Sequence, residues 1–513
     1  MLGVRPGSAL VGLFTLLLLT GCSLPMVDHS SDFQGLSEAE AADTLIGQGT
    51  SALEAEHPGE TGVFALADPL DAFASRVLLI RAAERTLDVQ YYIWQQDTTG
   101  VLLLGELLTA AERGVRVRLL LDDNGIGGLD PLLSALDSHP DIHVRLFNPF
   151  LFRRAKWFSF VTDFSRVNRR MHNKSMTADN ALTVLGGRNI GDEYFGATQG
   201  ALFVDLDVMA VGAAVGAVTD QFDQYWTSES AFPIDALVEP AEASERSELR
   251  QQVRDISRDP DAQTYARAVR ERPFVSYLVD GTLELQWSPA RLVSDDPGKV
   301  LGEVEGSQLM MSDLAREMGP PQQTLHLVSP YFVPTDEGVA AFRDLEKRGV
   351  EVRILTNSAN ATDVLAVHSG YARHRKALLR AGVELYEMKA LDRPPGDRGS
   401  SGFSLNSSSS LHAKTFAMDG NRLFVGSFNF DPRSARLNTE MGLIIDSPEL
   451  AGRLVSAFGP ELNQLSYRVG LDDDGDLIWQ EEDGNVLTDE PGTNAFDRGM
   501  LWFFSLLPIE GLL

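Results

Sequence analysis

Thr86-Leu87-Asp88-Val89-Gln90-Tyr91-Tyr92-Ile93-Trp94 is rich in β-branched and aromatic residues and reads as a buried strand. A helical stretch over 100–113 follows. Val115-Arg116-Val117-Arg118-Leu119-Leu120-Leu121 then reads as a second strand, ending at Asp122-Asp123-Asn124. The same order returns far downstream. Thr324-Leu325-His326-Leu327-Val328-Ser329-Pro330-Tyr331-Phe332 is a strand, 338–348 is helical, and Val350-Glu351-Val352-Arg353-Ile354-Leu355-Thr356-Asn357 completes the match. The phrase Arg-Gly-Val-x-Val-Arg stands at both 113–118 and 348–353. Strand, helix, strand at this length is a βαβ unit, so each half is expected to be an α/β domain with a largely parallel sheet. A repeat of whole domains predicts pseudo-two-fold symmetry, with one shared site where the halves meet.

Each half carries the same polar motif. His172-Asn173-Lys174 is followed after four residues by Asp179, and Gly186-Gly187-Arg188-Asn189 comes six residues later. His412-Ala413-Lys414 is followed after four residues by Asp419, then, six residues on, by Gly426-Ser427-Phe428-Asn429. One copy is a weak signal, but two in register are not chance. Residues two apart on a strand share a face, so His172 with Lys174 and His412 with Lys414 are expected to converge from the two halves. Such a cluster suits a phosphate. The lysines neutralise its oxygens, Asn189 and Asn429 donate hydrogen bonds, one imidazole attacks phosphorus, and the other protonates the leaving alkoxide. Asp179 and Asp419 sit near strand ends, where binding backbone donors or a basic partner in a turn suits them better than acid–base work. Each histidine also needs an acid partner to fix its tautomer. Glu440 is the candidate downstream of the second motif, and Asp205 is preferred over Asp207 after the first.

At these residues the chain resembles the phospholipase D superfamily and, within it, the bacterial cardiolipin synthases. The resemblance rests on Leu87 to Trp94, on Asn168-Arg169-Arg170-Met171-His172-Asn173-Lys174, on Gly186-Gly187-Arg188-Asn189-Ile190-Gly191-Asp192 and on Gly426-Ser427-Phe428-Asn429-Phe430-Asp431-Pro432-Arg433-Ser434. It runs from about residue 63 to the C-terminus. It implies two tandem phospholipase D-like domains and phosphatidyl transfer through a phosphohistidine, without metal or cofactor. By its pattern His172 is the nucleophile and His412 the general acid. The substrates it implies are phospholipids: phosphatidylglycerol as acceptor, with phosphatidylethanolamine as a possible further lipid. Gly187 departs from the pattern, because the second half has Ser427 there, so a hydroxyl contact to phosphate is in doubt on the Gly187 side. Hydrolysis by a phospholipase D, cleavage of nucleic acid, and a lipid-binding scaffold without activity are the competing readings.

The ends and the composition set the context. Apolar residues make up 43% and charged residues 23% of the 513, an ordinary globular balance, while a formal net charge of −29 argues against a nucleic-acid binder. Cys22 is the only cysteine, so there is no disulfide within the chain. The apolar run 9–19 is shorter than the roughly 20 residues a permanent span needs, and with Leu19-Thr20-Gly21-Cys22 it resembles a bacterial lipobox. Lipidation of Cys22 would anchor the protein facing the periplasm, and Ser23 favours the outer over the inner membrane.

The expected divisions are a signal at 1–21, a polar tether at 22–62, domain one at 63–238, a charged connector at 239–272 and domain two at 273–470. A tail at 471–513 holds an acidic turn and the apolar run 500–507, which is expected to pack on the domain more than to touch lipid. The Gly/Ser-rich stretch 394–410 is expected to be a flexible loop bordering the entrance. From 151 to 175, seven cations face one acid, Asp163, and alternate with Trp157, Phe158, Phe160 and Phe164, a mixture that suits a lipid interface. Arg373-His374-Arg375-Lys376 is either a second basic patch or a solvated helix face.

Overall fold

The computed structural model describes residues 24–31, 33–197, 202–390 and 409–513. Cys22 with its lipobox, and nearly all of the Gly/Ser-rich loop, lie outside the described residues.

Strands of the first half are β1 (Thr61–Leu66), β2 (Thr86–Ile93), β3 (Arg116–Gly125), β4 (Ile142–Phe147), β5 (Ser175–Ala178), β6 (Leu182–Gly186), β7 (Leu202–Val204), β8 (Asp207–Gly212) and β9 (Ala231–Pro233). After β10 (Gln286–Ser288) come β11 (Ala290–Ser294), β12 (Thr324–Val328), β13 (Glu351–Asn357), β14 (Glu384–Met388), β15 (Ser409–Leu411), β16 (Thr415–Met418), β17 (Arg422–Gly426), β18 (Met441–Ile445), β19 (Ser466–Leu471), β20 (Leu477–Gln480) and β21 (Val486–Leu487). One sheet runs β10-β1-β8-β6-β5-β2-β3-β4-β9 and the other β11-β18-β17-β16-β12-β13-β14-β19-β20-β21. From β1 to β4 in the first and from β11 to β14 in the second, the orders correspond strand for strand, which is the expected internal repeat. Parallel pairing occupies the core of each sheet, β2-β3-β4 and β12-β13-β14. Outside that core the pairs are antiparallel, so each sheet is mixed.

Alternation along β2 explains its two faces. Leu87, Val89 and Tyr91 are fully buried in the apolar core under the helices Pro69–Ala82 and Thr98–Glu112. On the opposite face, Asp88 takes Arg118 Nε at 2.7 Å, and Gln90 bonds Ser175 and Gln221. The halves share an apolar core of their own. Val63, Leu185, Val208 and Ala210 from the first sheet pack with Ala417, Val425, Leu443 and Ile445 from the second. At about 1.5–3 kcal/mol for each fully buried aliphatic side chain, this seam holds the halves as one body.

Three expected boundaries are corrected. The polar tether is not free: His29 Nδ1 lies 3.1 Å from the carbonyl oxygen of Ala231, and Phe33 stacks on His143. Carbonyls of His29, Ser30, Phe33 and Gln34 receive the guanidiniums of Arg145, Arg118 and Arg116, and the helices Glu38–Ala42 and Leu45–Glu56 continue the wrap. The connector is an outer layer of the first half, because its helices Ala243–Arg258 and Pro260–Arg270 bury Leu249, Tyr265 and Val269. β10 then rejoins β1 by antiparallel pairing, so the first sheet runs past 272 to Ser288. In the tail, β20 and β21 extend the second sheet, and Asp472 Oδ1 accepts from the N–H groups of Asp474 and Asp476 in an acidic turn. The helix Ala495–Ser505 packs through Leu501 but leaves Trp502 and Phe503 exposed, so packing accounts for only part of the apolar run.

Candidate active site

Backbone pairing between the halves sets the site. The N–H of His172 donates to Thr439 O at 2.9 Å, and the N–H of His412 donates to Val204 O at 2.8 Å. The residue after each acceptor is the acid, Glu440 in one case and Asp205 in the other. His172 Nδ1 therefore lies 2.8 Å from Glu440 Oε2, and His412 Nδ1 lies 2.5 Å from Asp205 Oδ2. Both expected acids are histidine partners, but the pairs cross between the halves, each histidine meeting the acid that follows the other motif. Regular strand begins only at Ser175 and Thr415, so both histidines stand in the extended lead-in before it.

Lys174 Nζ donates to His172 O at 2.6 Å. Lys414 Nζ stands at the edge of the His412 ring, 2.7 Å from Nδ1 and 3.1 Å from Nε2. Tyr92 packs edge-on to His172 with 5.0 Å between centroids, and Tyr194 does the same to His412 at 5.2 Å. All four motif bases are buried.

That burial governs the charges. Desolvation, helped by Lys174 and Lys414, holds His172 well below the ordinary imidazole value. Burial and Lys414 bring His412 down to about 4 against the pull of Asp205. Lys414 falls to about 8, and Lys174 is also well below the usual ammonium value, both mainly through burial. The two acids differ. Burial pushes Glu440 up to about 7, with Lys174 resisting. Burial would raise Asp205 too, but Lys414 and His412 hold it below the ordinary carboxylate value.

The supporting residues divide. Ser427 Oγ donates to Glu440 Oε2 at 2.5 Å, so this hydroxyl orients the acid and is not free for phosphate. No such hydroxyl fits on the other side, because a Cβ on Gly187 would lie 2.1 Å from Asp205 Oδ1. Asn189 accepts from the N–H of Ile93 at 3.2 Å and donates to the Tyr194 hydroxyl at 3.0 Å. Asn429 Oδ1 is buried with no partner among the described residues. Asp179 lies outside the cluster, accepting the N–H groups of Glu84, Arg85 and Thr86, each at 2.8 Å. Asp419 does the same for Gln322, Gln323 and Thr324. Both aspartates adopt left-handed backbone, φ 51° and 52°, at the turn closing the motif strand, and their carboxylates cap the start of the neighbouring core strand. Tyr92 and Tyr194 were not singled out from the sequence; their only sign is their place beside a core strand and a Gly-x-Asn motif.

Several cations of both basic runs are already held in ion pairs. Arg153 and Lys156 pair with Asp123, and Arg170 with Asp122. Arg375 is buried between Glu387 and Glu490, His374 meets Glu510, and Lys376 meets Asp476. Among the described residues no group of three or more His, Cys, Asp or Glu side chains is arranged to hold a metal ion.

Two imidazoles, each with Nδ1 against a carboxylate, stand between two lysines, with Lys414 Nζ also 3.1 Å from His412 Nε2: this arrangement can take a phosphodiester into covalent exchange at nitrogen. Comparison with known proteins shows what the chain is similar to. The family model described as "Cardiolipin synthase, PLD-like domain" matches residues 77–226 and 314–460. Cardiolipin synthase C of Escherichia coli K12 is 49% identical over 89% of this chain and 97% of its own length. A cardiolipin synthase of Staphylococcus aureus is 27% identical over 77% of this chain and 66% of its own. Among solved structures, the phosphatidylserine synthase of Haemophilus influenzae superposes with a TM-score of 0.57 at 13% identity, covering 91% of this chain and all of the other, which shows the shared fold. The chain belongs to the cardiolipin synthase family of phospholipase D-like proteins.

Proposed function

We propose that the chain makes cardiolipin by moving a phosphatidyl group onto a hydroxyl of phosphatidylglycerol through a phosphohistidine on His172. The observation that carries the proposal is the crossed pairing of His172 with Glu440 and His412 with Asp205 in one buried cluster. Asp205 stays anionic and favours a proton on His412, while Glu440 near 7 is half neutral and favours it less on His172. The bound phosphodiester anion raises both imidazoles, and His412 gains the proton first. Neutral His172 Nε2 then attacks phosphorus, and His412 Nε2 protonates the departing headgroup oxygen. In the second half, His412 removes the proton from the incoming hydroxyl as its oxygen displaces His172. Lys174 and Lys414 supply positive charge to the phosphate oxygens throughout.

We further propose, from the Leu19-Thr20-Gly21-Cys22 box and Ser23, a lipid-anchored protein of the bacterial envelope facing the periplasm, at the outer membrane. Mass spectrometry of products from vesicles of phosphatidylglycerol, with and without phosphatidylethanolamine, tests the function. Cardiolipin should dominate. Phosphatidic acid as the main product would replace transfer by hydrolysis.

A further inference from the structure

Two short helices expose aromatic side chains that nothing among the described residues covers. Lys156–Thr162 shows Trp157 at 69% exposure with Phe158, Phe160 and Val161, and Phe164 follows in the next turn. Ala495–Ser505 shows Trp502 at 65% with Phe496 and Phe503, and Leu506 lies just beyond. In a chain of net charge −29, residues 499–509 carry no charge at all, nor do residues 157–162. Of the cations beside the first helix, Arg153 and Lys156 are spent on Asp123 and Asp130, while Arg154 just before it is exposed.

One residue ties both segments to the catalytic rim. Arg433 donates through Nη1 and Nη2 to the backbone and side-chain oxygens of Asn168, at 2.9 and 2.6 Å, four residues before His172. Its backbone N–H donates to Leu513 O at 2.8 Å, and its Nε to Leu512 O at 3.1 Å, just beyond the second helix. The first helix lies on the connection from the carboxyl end of β4 to the first motif. The second packs on helix Leu365–Ala372, which follows the carboxyl end of β13. Both therefore sit at the carboxyl edge of the parallel strands, the edge from which such sheets bind ligands.

We propose that these two helices are a bilayer-docking face, which seats in the headgroup and upper acyl region and brings the rim of the site to its lipid. Exposed Trp and Phe on a surface with few charges have the chemistry of that boundary, where aromatic rings reside. Continuity with the catalytic rim makes the occupant a lipid surface; this step rests on the phospholipid substrates proposed above. The face is distinct from any anchor at Cys22, since it acts on the orientation of the folded body.

The test uses the full-length protein on vesicles of phosphatidylcholine and brominated phosphatidylglycerol. Bromine near a ring quenches its emission, so tryptophan fluorescence should fall on docking, and the fall should disappear when Trp157→Phe and Trp502→Phe are combined. Replacing Trp157, Phe160, Trp502 and Phe503 together by serine should raise the lipid concentration for half-maximal turnover about tenfold or more. Turnover of a short-chain phosphatidylglycerol dispersed as monomers should be unchanged. Undiminished quenching in the Trp157→Phe/Trp502→Phe protein, or equal losses on vesicles and monomers, overturns the docking face. A change of oligomeric state in the serine variant without any lipid effect does so as well, assigning the surface to a second copy of the chain. Absence of transfer in the parent protein, with quenching intact, counts against the proposed function and not against the docking face.

Discussion

The unequal acids make the sharpest prediction. Asp205→Asn and Glu440→Gln each keep a carbonyl oxygen for the histidine Nδ1–H and remove only charge. A hydrogen bond to a charged partner contributes about 1.5–3 kcal/mol and a neutral one about 0.5–1.5. Asp205 is held anionic beside His412, so its replacement forfeits the charged contribution at the residue that must carry the proton. Because the asparagine carbonyl keeps the neutral bond, the loss is the difference, about 1–1.5 kcal/mol, which at about 1.4 kcal/mol per decade is about 5- to 12-fold in kcat. Glu440 titrates near 7, and both of its polar contacts, with His172 and Ser427, use Oε2, so a glutamine carbonyl can take them over. Glu440→Gln removes a charge present about half the time at pH 7 and should therefore cost less, about 2- to 3-fold. Because Glu440 ionises as pH rises, the gap between parent and Glu440→Gln should widen from pH 6 to 8, whereas the Asp205→Asn deficit should stay flat. Initial rates of cardiolipin formation in vesicles, read by mass spectrometry across that range, measure both. Equal losses for the two variants, or a Glu440→Gln gap that narrows with rising pH, would refute the reasoning.

The lowered bases predict the pH profile of kcat/KM in the parent: with both imidazoles below their ordinary value, activity should persist as pH falls through 6.5, and the alkaline limb should appear near 8, where Lys414 loses its proton. Lys414→Arg should push that limb upward, whatever it does to the maximum. Asp179→Ala removes the acceptor of three backbone N–H groups and puts alanine in left-handed backbone, so it should cost about 3 kcal/mol or more in urea unfolding; Asp179→Asn should cost clearly less. Cys22→Ala should abolish incorporation of labelled lipid and leave the signal uncut, as judged by the mass of the intact chain.

Much of this was legible because it is local. Runs rich in β-branched and aromatic residues marked the core strands, and a doubled motif with matched spacing marked the halves and the four bases. Partner choice was not legible. His172 finds Glu440 at a separation of 268 residues and His412 finds Asp205 at 207, and only the pairing of backbone between halves decides that crossing. The wrap of residues 29–34 was hidden because their carbonyls, not their side chains, receive Arg145, Arg118 and Arg116. Arg153, Lys156 and Arg170 looked like part of a free patch because the acids that absorb them, Asp122, Asp123 and Asp130, come from another stretch of chain. Ser427 looked like a phosphate ligand because a motif hydroxyl could serve either the substrate or a buried acid, and the fold pairs it with Glu440.

The division of labour between the histidines is the central claim, and a rapid-quench trapping experiment tests it most directly. A phosphatidyl donor with a good leaving group needs no general acid for its first step, so in the His412→Asn protein it should charge the nucleophile and stall there. Peptide mapping should then find the phosphatidyl adduct on His172 in that variant and no adduct in His172→Asn. An adduct on His412 in the His172→Asn protein, with none in His412→Asn, would contradict the assignment.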